Sequence, residues 1–150
     1  MPTIRIETWI AAPAEVCFDL ARSVEAHLGS TSKTGERAVA GVTSGLLGLG
    51  DTVTWQARHL GFEQRLTSKM TRVERPRIFE DQMVSGAFAS FTHLHEFEDV
   101  RGGTLMIDTF VYRSPLGPLG RIADFIFLEQ YMRRLLTERA EYLKRAAEES

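Results

Sequence analysis

The chain has 150 residues, 43% of them hydrophobic and 25% charged, with a formal net charge of −2. This length and composition are typical of one globular domain that buries a hydrophobic core, so we expect residues 1–150 to form a single domain. The small net charge disfavours a surface that attracts nucleic acid or anionic membranes. Cys17 is the only cysteine, which excludes an internal disulfide, and its apolar neighbours indicate a buried small hydrophobe.

The start of the chain does not resemble a secretion signal, because MPTIRIETWI has no basic segment followed by an apolar run. No stretch approaches the roughly 20 consecutive apolar residues that a membrane-spanning helix requires. We therefore expect a cytoplasmic protein without integral membrane association.

The first part of the chain predicts two strands and two short helices. Residues 3–10 alternate polar and apolar side chains, as a half-buried strand does. A helix is predicted to begin near Pro13, and a second short helix is predicted over residues 23–29. Residues 35–42 are predicted to form another short strand.

The segment 44–51, SGLLGLGD, is rich in glycine and carries Leu46, Leu47 and Leu49. Its glycines loosely resemble a phosphate-binding loop, but such a loop precedes a helix, whereas a strand is predicted here. We therefore expect a flexible connection with exposed leucines, which could cover the mouth of a cavity or contact a second copy of the chain in a homodimer.

The middle of the chain predicts an antiparallel meander, because short turns separate consecutive strands. The predicted strands are residues 51–59, 62–70, 78–85, 90–98 and 104–112. From about Pro118 to Glu148, apolar residues recur at helical spacing and predict one long terminal helix. A curved sheet needs an element against its inner face, and this helix is the only predicted element large enough.

The last hairpin predicts which polar residues share the inner face of the sheet. A turn at Arg101–Gly102 places His95 directly opposite Asp108 on the neighbouring strand. The preceding strand brings Asp81 close to His93 or His95 in any register that keeps its aromatic face inward. The sequence therefore predicts a cluster of carboxylates and imidazoles among aromatic side chains.

The predicted cavity wall is mainly apolar and contains few polar groups, which is the usual composition of a site for a small molecule. Its candidate residues are Trp55, His59, Phe62, Leu66, Met70, Phe79, Asp81, Met83, Phe91, His93, His95, Met106, Asp108, Phe110, Tyr112, Phe125, Glu129 and Met132.

Three interpretations of the polar cluster remain open. It could brace the sheet as a paired polar network, or it could anchor a ligand inside an apolar pocket. It could also be catalytic, with His93, His95 and Asp108 as the candidate acid–base residues. The H-x-H spacing suits a metal, but no glutamate follows at the spacing of metal-binding cupins and no later strand supplies a histidine. We therefore expect neither a metal site nor a cofactor.

Residues 79–120 carry a series of short motifs: F-x-D, G-x-F, an aromatic, H-x-H-x-F, a glycine turn, T-x-x-x-D-x-x-x-Y and P-x-G-x-L-G. With these motifs the chain resembles the SRPBCC, or START-like, ligand-binding superfamily, which includes the birch-pollen-allergen fold, polyketide cyclase/dehydratases and coenzyme Q-binding proteins. It is most similar to a bacterial subfamily of largely uncharacterised ligand-binding proteins. The motifs fall on Phe79, Asp81, Gly86, Phe88, Phe91, His93, His95, Phe97, Gly102, Gly103, Thr104, Asp108, Tyr112, Pro115, Gly117, Leu119 and Gly120.

The resemblance implies an α+β helix-grip fold. Its parts are a seven-stranded antiparallel sheet wrapped around a long C-terminal helix, two short helices after strand 1, and a deep cavity. The implied function is binding of a small hydrophobic molecule, such as a lipid, a quinone or a polyketide-like compound. The alternative is an enzyme of the cyclase/dehydratase or hydrolase type that uses cavity histidine and aspartate for acid–base chemistry, and the sequence favours binding without catalysis.

Overall fold

The computed structural model describes residues 2–59, 61–114 and 127–150. Within them, seven strands form one antiparallel sheet, and two short helices precede the meander while a longer helix ends the chain. This arrangement confirms the predicted α+β helix-grip fold. The elements are β1 (Thr3–Ile10), α1 (Ala14–Ala21), α2 (Val24–Ser30), a 3₁₀ turn (Ser32–Thr34), β2 (Arg37–Gly41), β3 (Thr52–His59), β4 (Phe62–Glu74), β5 (Ile78–Ser85), β6 (Ser90–Val100), β7 (Gly103–Arg113) and α3 (Glu129–Glu148).

The strand order across the sheet is β1-β7-β6-β5-β4-β3-β2. Every pair of neighbouring strands is consecutive in the chain except the pair of β1 and β7. The β6–β7 hairpin turns at Arg101 and Gly102, which have φ angles of 54° and 76°. Positive φ at both central residues matches the right-handed twist of the flanking strands. The turn sets His95 opposite Asp108, as predicted.

The two short helices close one end of the sheet. Helix α1 buries Cys17 and Phe18, and the Phe18 ring meets Phe79 edge-on at 5.3 Å between centroids. Helix α2 is capped at its start by Ser23, whose side chain accepts a hydrogen bond from the backbone N–H of Ala26. These contacts fix α1 against β5 and β6 and place α2 beside the inner face of the sheet.

Helix α3 packs against β1, α1 and α2. Its buried side chains recur every three or four residues along one face: Leu136, Arg139, Ala140, Leu143 and Ala147. The predicted helix began near residue 118, and its part before residue 127 lies outside the described residues. Among the described helices, none combines the length and apolar character needed to cross a bilayer.

Candidate ligand cavity and its polar cluster

A cavity of about 350 Å³ lies against the inner face of the sheet, with helices α2 and α3 contributing to its wall. Aromatic side chains from the strands form much of the lining, among them Trp55, Phe91 and Phe110. Alternate residues of a strand point to one face of a sheet, which is why the aromatics of β3, β6 and β7 converge on this space. Leu135 and Leu136 of α3 face them.

Most of the residues that the sequence predicts for the wall do line this cavity. They are Trp55, His59, Leu66, Met70, Phe79, Asp81, Phe91, His93, His95, Phe110 and Met132. All but Met132 come from β3 to β7, so the strand alternation accounts for their common orientation.

Several other predicted wall residues lie in the core instead. Met106 is fully buried and packs in the cluster that includes α1. Tyr112 is also fully buried, among the aromatic residues of β6 and β7, and Met83 packs against the same cluster. Asp108 is buried behind the cavity-lining histidines.

The predicted positions of two residues are wrong, and a third cannot be compared. Phe62 is 70% exposed because it is the first residue of β4, at the tip of the hairpin. The side chain of Glu129 is 46% exposed and lies beside Arg133 on the same helix rather than in the cavity. Phe125 lies outside the described residues.

The polar cluster centres on one oxygen of Asp108. Nε2 of His93 donates to Oδ1 of Asp108 over 3.0 Å, and Nδ1 of His95 lies 3.1 Å from the same oxygen without hydrogen-bond alignment. Nε2 of His95 donates to Oδ1 of Asp81 over 2.9 Å. The two imidazole rings stack with 3.7 Å between centroids. The nitrogens at the ring edges face the carboxylates of Asp81 and Asp108.

Arg139 completes the cluster from helix α3. Its Nη1 lies 3.4 Å from Oδ1 of Asp108, and its Nη2 donates to the backbone carbonyl of Ala21 over 3.0 Å. Arg139 is not among the residues that the sequence predicts for the site. A signal was present, since Arg139 continues the helical stripe of Met132 and Leu136 at a spacing of three residues.

The surroundings set the charge of these groups. Burial would raise the pKa of Asp108, but the hydrogen bond from His93, the nearby ring of His95 and the charge of Arg139 outweigh it and hold that pKa well below its usual range. For Asp81 burial likewise opposes ionisation, and the hydrogen bond from His95 lowers the pKa nonetheless. Burial, together with the neighbouring His95, lowers the pKa of His93 to about 4, so His93 is neutral at pH 7.

A second polar group lines the cavity away from the Asp108 cluster. His27 of α2 stacks on Trp55 at 4.0 Å and pairs with Glu36. Nδ1 of His59 lies 2.8 Å from the hydroxyl of Tyr131. Because residues 30–50 have little periodicity, no sequence signal predicted the contribution of Glu36.

The glycine-rich loop contributes one leucine to the cavity. Leu47 is partly buried, lines the cavity and is held by a hydrogen bond from its backbone N–H to the carbonyl of Arg22. Leu46 and Leu49 are 47% and 68% exposed. The expected exposure therefore applies to Leu46 and Leu49, whereas Leu47 closes part of the wall.

An antiparallel sheet that holds a helix against its inner face, with an apolar cavity between them, defines the helix-grip class of the SRPBCC superfamily. A family model described as "Polyketide cyclase / dehydrase and lipid transport" matches residues 1–148. The chain belongs to this family. A search of curated proteins finds no significant match.

Solved structures support the same fold. TTHA0849 from Thermus thermophilus has a TM-score of 0.75 and 20% identity, covering 97% of this chain and 99% of its own. Ginseng major latex-like protein 151 from Panax ginseng has a TM-score of 0.71 and 14% identity, covering 97% of each chain. Ara h 8.0201 has a TM-score of 0.64 and 13% identity, covering 95% of this chain and 97% of its own. Family and fold together support binding of hydrophobic ligands in general.

Proposed function

We propose that the protein binds a small hydrophobic molecule, of the lipid, quinone or polyketide-like class, in the cavity between the sheet and α3. The observation that carries the proposal is the cavity of about 350 Å³ with a mainly apolar wall and two small polar groups. Volumes of roughly 300 Å³ and more, mostly apolar with a few fixed polar groups, are typical of small-molecule sites. In this proposal the whole chain forms one binding unit.

The composition of the wall suits a ligand that has an apolar body and at least one polar end. The ring centroids of Phe91 and Phe110 lie 5.1 Å apart, and the two rings offer aromatic surface to a flat or branched hydrocarbon. Asp81 and His93 line the same cavity, and the Asp81 side chain retains 19% exposure. A hydroxyl group on the ligand would donate a hydrogen bond to the Asp81 carboxylate or to Nδ1 of His93, which orients the molecule.

A cavity-filling substitution tests the proposal. Leu66→Trp adds bulk at a partly buried wall position, whereas Leu49→Trp makes the same change on an exposed loop residue. We expect lipids, quinones or polyketides that raise the melting temperature of the wild type to do the same for L49W but not for L66W. Failure of a broad set of such compounds to stabilise the wild type would contradict the proposal, as would equal stabilisation of L66W.

A second candidate function is acid–base catalysis on a bound carbonyl compound. The observation that favours it is His93 at the cavity wall with Asp108 behind it, where His93 is neutral and its Nε2 is committed to the carboxylate. A neutral imidazole held by a carboxylate is able to act as a general base through its other nitrogen. If His93→Gln binds ligand normally but abolishes turnover of a bound substrate, catalysis is the better account; unchanged turnover would exclude it.

A homodimer remains part of the proposal. Leu46 and Leu49 expose apolar surface on one loop. Size-exclusion chromatography with light scattering would give twice the 16.9 kDa chain mass for a dimer, and Leu49→Ser should then shift it to the monomer.

A further inference from the structure

Asp81, His93 and His95 form a compact set of metal-ligand side chains on the cavity wall. Each residue offers one ligand atom, and these atoms lie within 4.8 Å of one another. All three residues line the cavity, so the set is open to a small molecule or an ion on that side. Two imidazoles and one carboxylate are a donor set that binds Zn²⁺ and Fe²⁺ in proteins, with further positions left for water or substrate.

The buried Asp108 lies against both histidines on the side away from the cavity. Its Oδ1 lies 3.0 Å from Nε2 of His93 and 3.1 Å from Nδ1 of His95. The nitrogens that remain to bind a metal ion are Nδ1 of His93 and Nε2 of His95. Nε2 of His95 lies 2.9 Å from Oδ1 of Asp81. Histidines that bind metals nearly always present their other nitrogen to a carboxylate or carbonyl group, as His93 does here, and the other nitrogen of His95 lies close to the same carboxylate.

The charges of the cluster also favour a cation. Asp81 and Asp108 bring two carboxylates, and Arg139 brings one guanidinium within 3.4 Å of Asp108. Two carboxylates against one guanidinium leave an excess of negative charge among these side chains, and uncompensated buried charge is costly. A divalent cation beside Asp81 would add to the positive charge of Arg139 and offset the excess.

The expectation of no metal site rested on ligands searched for along the chain. The H-x-H pair of β6 lacks a later histidine or a cupin-like glutamate. Across the sheet, however, β5 sets Asp81 directly opposite His93, which supplies the third ligand from a neighbouring strand. Register between strands, rather than spacing within one, therefore assembles the set.

We propose that Asp81, His93 and His95 bind one divalent transition-metal ion of the zinc class, with an open coordination position that faces the cavity. Asp108 is the positioning residue for both histidines. Binding requires that His95 move its proton from Nε2 to Nδ1, which then donates to Asp108, so no proton leaves the cluster. The open position would take an oxygen atom of a bound molecule. The inference goes beyond the proposed ligand binding and does not depend on it.

Untagged protein, stripped with a chelator, tests the site by NMR of the histidine side-chain nitrogens during Zn²⁺ titration. The chain has four histidines, so each ring can be followed in the wild type. We expect saturation at one equivalent, with large shifts for His93 and His95 and small ones for His27 and His59. No shift, or shifts centred on His27 or His59, would overturn the proposal.

Affinity measurements on variants supply the second test. Calorimetric titration with Zn²⁺ should give at least about tenfold weaker binding for Asp81→Asn, and about 10- to 100-fold weaker binding for Asp108→Asn. Asp99→Asn is the matched control, because Asp99 is exposed and pairs with Arg77 at the end of β6. Equal affinity of D81N and D99N would overturn the site even if the wild type binds Zn²⁺. A protein that binds the hydrophobic ligand but takes up no Zn²⁺ would leave the proposed function intact while excluding this inference.

Discussion

His93 and Asp108 are joined by a hydrogen bond of 3.0 Å between two buried side chains, on strands β6 and β7. The backbone pairs Asp108 with His95 and sets His93 opposite Phe110. The bond to His93 is therefore diagonal across the hairpin, and Asp108 meets both imidazoles. A single carboxylate oxygen thus contacts both cavity-lining rings and hydrogen-bonds to one of them.

Replacing Asp108 should destabilise the fold strongly. Asp108→Ala would remove the hydrogen bond to His93 and leave the Arg139 guanidinium without its buried carboxylate. Breaking a buried ion pair from one side typically costs about 3–5 kcal/mol of unfolding free energy. Urea unfolding measures this loss. Asp99→Ala, at an exposed ion pair with Arg77, should cost less than about 1 kcal/mol. Similar losses in the two variants would contradict the arrangement.

Removing the charge of Arg139 should also destabilise the fold, because Asp108 then loses the guanidinium that faces it. Arg139→Met keeps much of the side-chain length but leaves Asp108 uncompensated and the carbonyl of Ala21 without this donor. We expect a loss of about 2–4 kcal/mol, measured by urea unfolding. The control is Arg133→Met, because Arg133 is half exposed on the same helix. A double variant of Arg139 and Asp108 should lose less than the sum of the single losses if the two groups interact.

Stability should depend on pH through His93. Its folded pKa is about 4, below the ordinary value near 6.5, so the unfolded chain binds more protons between these values. Its contribution is therefore full above pH 6.5 and decreases as the pH falls to about 4, by about 3 kcal/mol at most. Asp108, whose pKa is held low, adds a further loss only below about pH 4.

Unfolding measured from pH 7 to pH 4 would test this dependence, and NMR titration of the His93 ring would follow the group itself. The decrease of the unfolding free energy with falling pH should be smaller in His93→Gln. A His93 ring that titrates near pH 6.5 would contradict the buried, neutral state.

Cys17 should be unreactive while the protein is folded. The thiol is buried in α1, and burial raises its pKa, so little thiolate forms at neutral pH. Modification by a thiol reagent should therefore follow global unfolding, with a rate that rises with urea as the folded fraction decreases. Rapid modification in native buffer, with the far-UV spectrum unchanged, would place the thiol at the surface.

The sequence predicted the sheet and its inner face because strand periodicity and hairpin turns act locally. Counting from Arg101–Gly102 was enough to place His95 opposite Asp108. Periodicity did not indicate which imidazole would hydrogen-bond Asp108, since that depends on side-chain direction across the diagonal. Arg139 was missed because its partners lie in β7 and at the end of α1, far along the chain.

The remaining errors also have physical causes. Phe62 alternates correctly with Leu66, but the sheet ends at the hairpin tip and leaves its side chain without neighbours on one side. Glu129 lies on the predicted helical stripe, yet at the start of α3 it remains half exposed beside Arg133. Periodicity indicates a face, whereas the position along the element decides whether that face is covered.

The central claim is that the cavity holds a hydrophobic molecule, and native mass spectrometry tests it most directly. Protein purified from its native host without detergent should carry one added small-molecule mass per chain, which is released on denaturation and extracts into organic solvent. Leu66→Trp, prepared in the same way, should lack that mass. A wild-type protein that shows only its own 16.9 kDa mass, and takes up no lipid, quinone or polyketide when these are added, would contradict the account.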